Sequence, residues 1–372
     1  MKKNQAWLHA GMIQRERKSF TFACMPNDTL YMRRCIELAR NGMADVAPNP
    51  MVGCVIVRND KVLGEGYHTA FGKAHAEVEA MQKVAPDELK GATLYVNLEP
   101  CAHHGKTPPC ANTIVDAGIG RVVVGMTDPN PLVAGKGLNI LRQAGIEVET
   151  GCLEDECLWL NRRFVTRMTQ ARPYIILKWA QSADGFLGVD DDRKLGGEPF
   201  WISSHESRFY SHTWRREEMA ILVGSGTVLA DDPQLTVREV TGANPVRIVL
   251  DRRGRLTASH KVFDNSAPTL LFSSVQPQGA GKQLEWIQAK PDQLLAQVCD
   301  VCREKNIQSV IVEGGAQILQ AFFDAQLWDE VRVFNAPGRL GTGIPAPLMA
   351  GRPHAVQQVG ADELFVYYRI PV

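Results

Sequence analysis

The chain reads as an α/β protein of two domains, and three observations predict this. Apolar runs rich in Val and Ile recur at 54–57, 93–98, 121–126, 174–179, 219–223, 246–250 and 309–312, and segments of helical period separate many of them. The 372 residues exceed one typical domain and allow two sizeable cores. Finally, Ala171-Arg172-Pro173 reads as a linker ahead of a fresh β-rich pattern. The expected division is an N-terminal extension over 1–27, a first domain over 28–170 and a second over 171–372. The extension is expected to be mobile.

In the first domain, Asp28 can cap a helix through Ala39, with Tyr31, Cys35, Leu38 and Ala39 on one face and Gly42 beyond its end. The rigid turn Val46 to Gly53 leads into strand 54–57, and Asn59-Asp60 turns the chain into strand 62–67. A helix is expected over 75–84, then strand 93–98, a loop from Pro100 to Pro109, and a helix opened by Cys110. Strand 121–126, helix 136–144, a short strand at Val148 and one polar helix over 154–169 complete the domain. In the second domain, strands are expected at 174–179, 219–223, 246–250, 269–272, 309–312, 330–335 and 364–369. Helices are expected at 205–214, 291–305 and 316–325, and the segments 274–282 and 338–347 read as surface loops.

Composition narrows the function. Lys+Arg and Asp+Glu both number 41, so net charge makes no case for a nucleic-acid or membrane surface. No stretch approaches the ~20 apolar residues of a membrane helix, and Lys2 and Lys3 precede no signal-like apolar run. Nine cysteines without regular spacing, in a chain of this length, predict a reducing cytoplasm. Cys299 and Cys302 form a C-x-x-C within an expected helix, without a thioredoxin-like setting, and read as helix packing.

The chemistry concentrates between His75 and Cys110. His75-Ala76-Glu77, Pro100-Cys101 and Pro109-Cys110 supply one imidazole, two thiolates and a separate carboxylate. A catalytic zinc takes three such ligands and keeps its fourth position for water, whose pKa it lowers. H-x-E followed by P-C-x-x-C is the zinc nucleobase deaminase signature. Here eight residues, not two, separate Cys101 from Cys110. Helix N-termini at His75 and Cys110 favour thiolate over thiol. A structural zinc is the plainer reading, and His103 or His104 can supply a fourth ligand. Glu77, idle in a closed site, favours the open one.

These motifs carry a specific resemblance. Pro48-Asn49-Pro50-Met51-Val52-Gly53-Cys54, Gly64-Glu65-Gly66-Tyr67-His68, His75-Ala76-Glu77 and the stretch Glu99 to Cys110 resemble the deaminase half of the bifunctional riboflavin-biosynthesis deaminase/reductase family. Asp128-Pro129-Asn130-Pro131 and Gly135-Lys136-Gly137 do too, and the long cysteine spacing is this family's form. The resemblance continues to the C-terminal end. It implies a cytidine-deaminase-like α/β/α sandwich holding one zinc ion, a pyrimidine deaminase acting on a phosphoribosylated diaminopyrimidinone. It places Asn49, His68, His103 and Lys106 in the substrate pocket, Lys106 having a phosphate to pair with. For Lys106 a solvated loop charge, and for His68 a strand-end structural role, are the plainer readings.

The second half resembles the family's reductase, with a dihydrofolate-reductase-like α/β fold. The matching pieces are Lys178 to Gly185, Trp201-Ile202-Ser203-Ser204, Gly226 to Arg238 and Val312-Glu313-Gly314-Gly315. The implied reaction is NADPH-dependent reduction of the ribosyl to the ribityl chain. NADPH is expected against Ala180, Trp201, Thr227, Asp231 and the turn Gly315, Ala316, Gln317, Ile318, Leu319, Gln320 and Ala321. The substrate is expected against Pro199, Arg215, Leu235, Arg238 and Glu313. Arg215 and Arg238 suit phosphate, which guanidinium groups bind bidentately. Lys178 and Asp231 are the candidates for proton handling, although Asp231-Asp232-Pro233 also reads as an Asx-type turn. From the residues alone, Gly314-Gly315 between an apolar strand and an amphipathic helix can receive a pyrophosphate on bare N–H groups. A plain strand–turn–helix is the commoner meaning of such a pattern.

Two positions depart from the family pattern. Arg252 replaces a small residue, and of the basic pair past the strand end Arg252 or Arg253 is expected to grip the NADPH 2′-phosphate. Pro199-Phe200 replaces a serine-bearing pair after the Asp190-Asp191-Asp192 insertion. The family further implies a homodimer through the reductase half. The rivals are a zinc deaminase of another substrate, a single-activity deaminase with a degenerate second half, and a zinc-stabilised scaffold without catalysis.

Overall fold

The computed structural model describes residues 26–102, 108–131, 133–189, 201–279 and 281–369. The expected extension, His103, Lys106, Pro199 and the Asp190 insertion lie outside these, apart from the last two residues of the extension. The chain divides between Arg172 and Pro173 into two compact units.

The first unit holds strands β1 (Gly53–Arg58), β2 (Lys61–Tyr67), β3 (Thr93–Leu98), β4 (Arg121–Met126) and β5 (Glu147–Thr150). They form one sheet in the order β2-β1-β3-β4-β5, antiparallel at β2/β1/β3 and parallel at β3/β4/β5. Its helices are α1 (Pro26–Arg40), α2 (Ala76–Met81), α3 (Pro86–Leu89), α4 (Cys110–Asp116), α5 (Lys136–Gln143), α6 (Glu154–Leu160) and α7 (Arg162–Gln170). Side chains alternate faces along a strand. Cys54, Ile56, Leu94, Val96, Val122 and Val124 therefore meet α2, α4 and α5 on one side. Val55, Val57, Tyr95 and Val123 meet α1 and α6 on the other. This is the expected α/β/α sandwich.

Two helical expectations need correction. The period from His75 to Val84 breaks after Met81, because Pro86 pushes Ala85 into extended backbone (φ −63°, ψ 139°) and opens α3 instead. The single polar helix over 154–169 is two helices. Asn161 leaves the helical path at φ −96°, ψ 20°, and its buried amide bonds both the N–H and the C=O of Met51, at 2.8 and 2.9 Å. Among the described cysteines, seven are free.

The second unit is built on β6 (Tyr174–Ser182), β7 (Phe186–Gly188), β8 (Ala220–Gly224), β9 (Val246–Asp251), β10 (Thr269–Ser273), β11 (Leu284–Gln288), β12 (Ser309–Val312), β13 (Glu330–Ala336), β14 (Ile344–Pro345), β15 (Ala355–Val359) and β16 (Asp362–Tyr368). Nine of these pair in the order β11-β10-β9-β8-β12-β6-β13-β16-β15, parallel from β11 to β13 and antiparallel beyond. β7 and β14 make a separate ribbon. Helices α10 (Leu294–Glu304) and α11 (Ala316–Asp324) cover one face; α8 (His205–Glu217) and α9 (Ser225–Asp231) cover the other. Cys302 is buried in the first of these cores with Cys299 packed against it, as helix packing requires.

The sequence reading missed α9 and strands β7, β11, β14 and β15. The last three are short or lie at edges and are largely exposed or half-buried, so they lack a continuous apolar signal. Pro291 opens a 3₁₀ turn ahead of α10 rather than the helix itself.

Candidate active sites

In the first unit, the residue before α2 and the first residue of α4 bring the soft ligands together. His75 is the N-cap of α2 (φ −75°, ψ 160°), and Cys110 is the first residue of α4. β2 lets α2 approach closely: a Cβ on Gly66 would sit 2.5 Å from the Ala76 carbonyl oxygen and the Ala80 nitrogen. The His75 Nδ1 lies 3.3 Å from the Cys110 Sγ and 3.6 Å from the Cys101 Sγ, and the three ligand atoms fall within 4.8 Å of one another. A tetrahedral ion with ordinary zinc bonds sets such N and S ligands about 3.5 Å apart. The donor set fits zinc.

The protonation of the cluster says the same. Hydrogen bonding from the Cys110 thiol and from His75 brings the Cys101 thiol down to about 4. Its neighbour Cys101, burial and the Glu77 charge push Cys110 up. The Cys110 N–H donates to the Cys101 Sγ at 3.3 Å, further favouring thiolate. Glu77 is buried, and burial raises its carboxyl above the ordinary carboxylate range. That suits a group that takes and returns a proton.

Asn49 and His68 are in the same place. The Asn49 amide lies 3.1 Å from the His68 Nε2, while the His68 Nδ1 sits 2.9 Å from the Ala74 carbonyl oxygen. The consistent assignment has Nδ1 donating to Ala74 and Nε2 accepting from Asn49, a neutral ring, and burial lowers its pKa. The His68 ring meets His75 edge-on, centroids 5.5 Å apart.

Glu99 went without a role in the sequence reading. Its buried carboxylate accepts the N–H groups of Asp128 (3.2 Å), Gly135 (3.0 Å) and Gly137 (2.9 Å). It thereby pins the loop before α5 to the chain that carries Cys101.

In the second unit, Glu313 follows β12 and is the hub. Arg215 of α8 grips it through Nε at 3.0 Å and Nη2 at 2.7 Å, and the Lys178 ammonium of β6 stands 3.9 Å away. Burial would raise the Glu313 carboxyl, but Arg215 and Lys178 overcome it and hold the group at about 2. Burial lowers the Lys178 pKa, with Glu313 opposing. The Arg215 fork is therefore committed to a carboxylate, and its Nη1 reaches the Thr236 carbonyl at 3.4 Å. Arg238, exposed, is the more open cation beside it. Leu235 is buried, so its approach to a ligand falls to its backbone.

Thr227 and Gly315 meet at the ends of the adjacent parallel strands β8 and β12, where open α/β sheets receive ligands. A Cβ on Gly314 would press 2.8 Å from the Val223 backbone, and Gly315 sits at φ +47° with its Cβ position 3.5 Å from the Thr227 Oγ1. Only glycines fit that turn. The first turn of α11 beyond it presents N–H groups, so the cradle fits a dinucleotide pyrophosphate. Ala180 lies two residues past Lys178 on β6. Trp201 is exposed under the Arg208 guanidinium, 4.8 Å from its ring centroid. Asp231 is the last residue of α9, and the ion pair of Lys178 is with Glu313. Arg252 is exposed directly after β9.

His212 and Arg255 were also missed. His212 lies one turn before Arg215 on α8 and accepts the Arg238 N–H at 3.2 Å; burial and the charges of Arg215 and Arg238 bring it to about 4. Arg255 donates to the Ser225 hydroxyl at 2.9 Å, where α9 begins. The i,i+3 spacing to Arg215 was the available signal for His212; Arg255 had none.

Comparison with known proteins finds a match for each of the two regions. The cytidine and deoxycytidylate deaminase zinc-binding region matches residues 25–126, and the RibD C-terminal domain matches 173–360. The riboflavin biosynthesis protein RibD of Aquifex aeolicus is 44% identical over 326 residues, 85% of this chain and 89% of that protein. The Escherichia coli RibD is 40% identical over 337 residues, 85% and 89%. A solved Acinetobacter baumannii RibD superposes with TM-score 0.83 at 38% identity, covering 92% of this chain and 98% of that one. The Thermotoga maritima structure described as a diaminohydroxyphosphoribosylaminopyrimidine deaminase/5-amino-6-(5-phosphoribosylamino)uracil reductase gives 0.83 at 36% identity, covering 92% and 99%.

Proposed function

Because the chain belongs to the RibD family of riboflavin biosynthesis proteins, and so is a bifunctional zinc deaminase and NADPH reductase, we propose which of its residues perform each reaction. The observation that carries the proposal is the His75–Cys101–Cys110 cluster with buried Glu77 beside it. The substrate of the first site is the phosphoribosylated diaminopyrimidinone. Asn49 and His68 line its pocket. Zinc, when bound to the three ligands, supplies the Lewis acidity that makes water nucleophilic at neutral pH. Glu77 takes one proton from the attacking water and gives it to the ring nitrogen; it then takes the proton of the new C–OH and gives it to the amine, which leaves as ammonia as the C–N bond breaks and the carbonyl forms. The neutral His68 orients the Asn49 amide toward the ring.

In the second unit NADPH, when bound, would supply the hydride that reduces the opened ribose at C1′. The Gly315 to Ala321 turn, Thr227, Ala180, Trp201 and Asp231 hold the cofactor. Arg238 and the backbone at Leu235 hold the ribose phosphate. Arg215 and Glu313 place Lys178, which gives the proton. The domains are 28–170 and 171–372, and the protein works as a homodimer through the second.

The compartment proposed is the cytoplasm, since seven of the described cysteines are free in a chain that carries nine. Among the described residues no helix is long and apolar enough to cross a membrane.

The test is to supply the diaminopyrimidinone ribose phosphate with and without NADPH. Ammonia is expected in both cases and loss of NADPH absorbance only after ammonia. Ammonia without any NADPH oxidation would leave a deaminase alone. For the cofactor, Arg252→Ala is expected to raise the KM for NADPH roughly tenfold and leave that for NADH unchanged, the loss of one charge-assisted contact. An unchanged NADPH-to-NADH ratio refutes the role of Arg252.

A further inference from the structure

Arg247 is an arginine in the wrong place for a plain core. It lies in the middle strands of the nine-stranded sheet, on β9, with a relative exposure of 0%. Fully buried guanidinium groups are held by partners, because desolvating an unpaired charge is prohibitive. Its partners here are mostly backbone carbonyls. Nη1 reaches the carbonyls of Gln234 (3.3 Å) and Lys261 (3.1 Å) and the Asp264 carboxylate (2.9 Å). Nη2 donates to the carbonyls of Asp264 (2.9 Å) and Ala267 (2.6 Å).

These contacts join two segments. One is 232–238, which carries Leu235 and Arg238; the other is 261–267. The same two segments meet three more times. The Lys261 N–H donates to Asp232 Oδ1 at 2.9 Å, and the Gln234 amide donates to Asp264 Oδ2 at 2.9 Å. Asn244 accepts the Val237 N–H and donates to the Ser266 carbonyl, both at 2.9 Å. The segment 232–238 has no helix or strand to set its path, and two of its residues, Asp232 and Leu235, stand at φ +37° and +57°. Non-glycine residues persist there only when surroundings over-determine them.

We propose that Arg247 is a positioning residue of the reductase: with Asn244 it fastens the 232–238 loop to the 261–267 buttress and so sets where Arg238 meets the substrate phosphate. This rests on the reading of Arg238 as a phosphate contact. The guanidinium is required because it spans five acceptors from one planar fork. An ammonium at the same site is a single nitrogen with three donors.

The experiment measures reductase KM for the deaminated ribosylamino substrate, KM for NADPH, and deaminase rate in the same full-length chain. Arg238→Met tests the parent reading and is expected to raise the substrate KM at least tenfold; no change there refutes the loop as a phosphate site. Arg247→Lys is expected to raise the substrate KM about tenfold, with the NADPH KM within twofold and the deaminase rate unchanged. If Arg238→Met raises KM and a folded Arg247→Lys does not, the positioning role is wrong. An equal rise in both KM values also overturns it, as general loosening. Should Arg247→Lys fail to fold, Asn244→Ala decides. A threefold or larger rise in substrate KM alone upholds the strap, and none refutes it.

Discussion

Glu77→Gln should lower ammonia release roughly a thousandfold while leaving one zinc per chain and leaving the reduction of pre-deaminated substrate intact. The substitution is close to isosteric, so the packing of α2 against β2 changes little. What disappears is the proton carrier. Glu77 is buried with its carboxyl beside the Cys110 thiol, and the metal-ligating group among the described residues is His75, Cys101 and Cys110, without it. The amide can still take part in hydrogen bonds, which is why metal content should survive. A zinc-stabilised scaffold predicts a different result, since removal of an idle acid leaves every measured property alone. Retained ammonia release would therefore discard the catalytic reading of Glu77. Loss of zinc along with activity would make Glu77 a structural support of the metal site. Zinc is counted by atomic emission and ammonia by a coupled assay.

The proposed zinc ligands were legible because they lie in short local motifs, two of them at helix starts. His75-x-Glu77 needs only the first turn of α2, and Cys110 only the first residue of α4. The α/β class was legible for a related reason: strands buried on both faces, such as β4 and β8, read as unbroken apolar runs. The framework was not legible. Asn161 fixes Met51 from 110 positions away, and Glu99 reaches Gly137 across 38. Such pairings leave no period and no spacing in the chain. Arg215 shows the same limit from the other side. Its residue type suited phosphate, yet the fold gives its fork to Glu313, 98 positions away. Arg247 looks like one polar residue in a strand, and only the fold reveals that its partners lie on two loops.

Glu313→Ala is expected to destabilise the second unit by about 3–5 kcal/mol and abolish NADPH oxidation, with ammonia release retained. The carboxylate neutralises two half-buried cations, Arg215 at 2.7 Å and Lys178 at 3.9 Å. Its removal leaves both positive charges unpaired in a site of low solvent access, the costly way to break a buried pair. Glu313→Gln keeps an acceptor for Arg215 and should fall between the two. The linkage with pH has a definite sign. The folded-state carboxyl at about 2 lies below its ordinary 4.5, so its contribution is fully present above 4.5 and is lost as pH falls toward 2. Urea unfolding of the second unit should therefore show a stability loss in the wild type between those pH values, and a flatter profile in Glu313→Ala. A variant that unfolds at the wild-type urea concentration at neutral pH would show that Arg215 and Lys178 find other partners. In that case Glu313 would owe its place to substrate binding alone. The deaminase rate, read from the same sample, separates a local collapse of the second unit from failure of the whole chain.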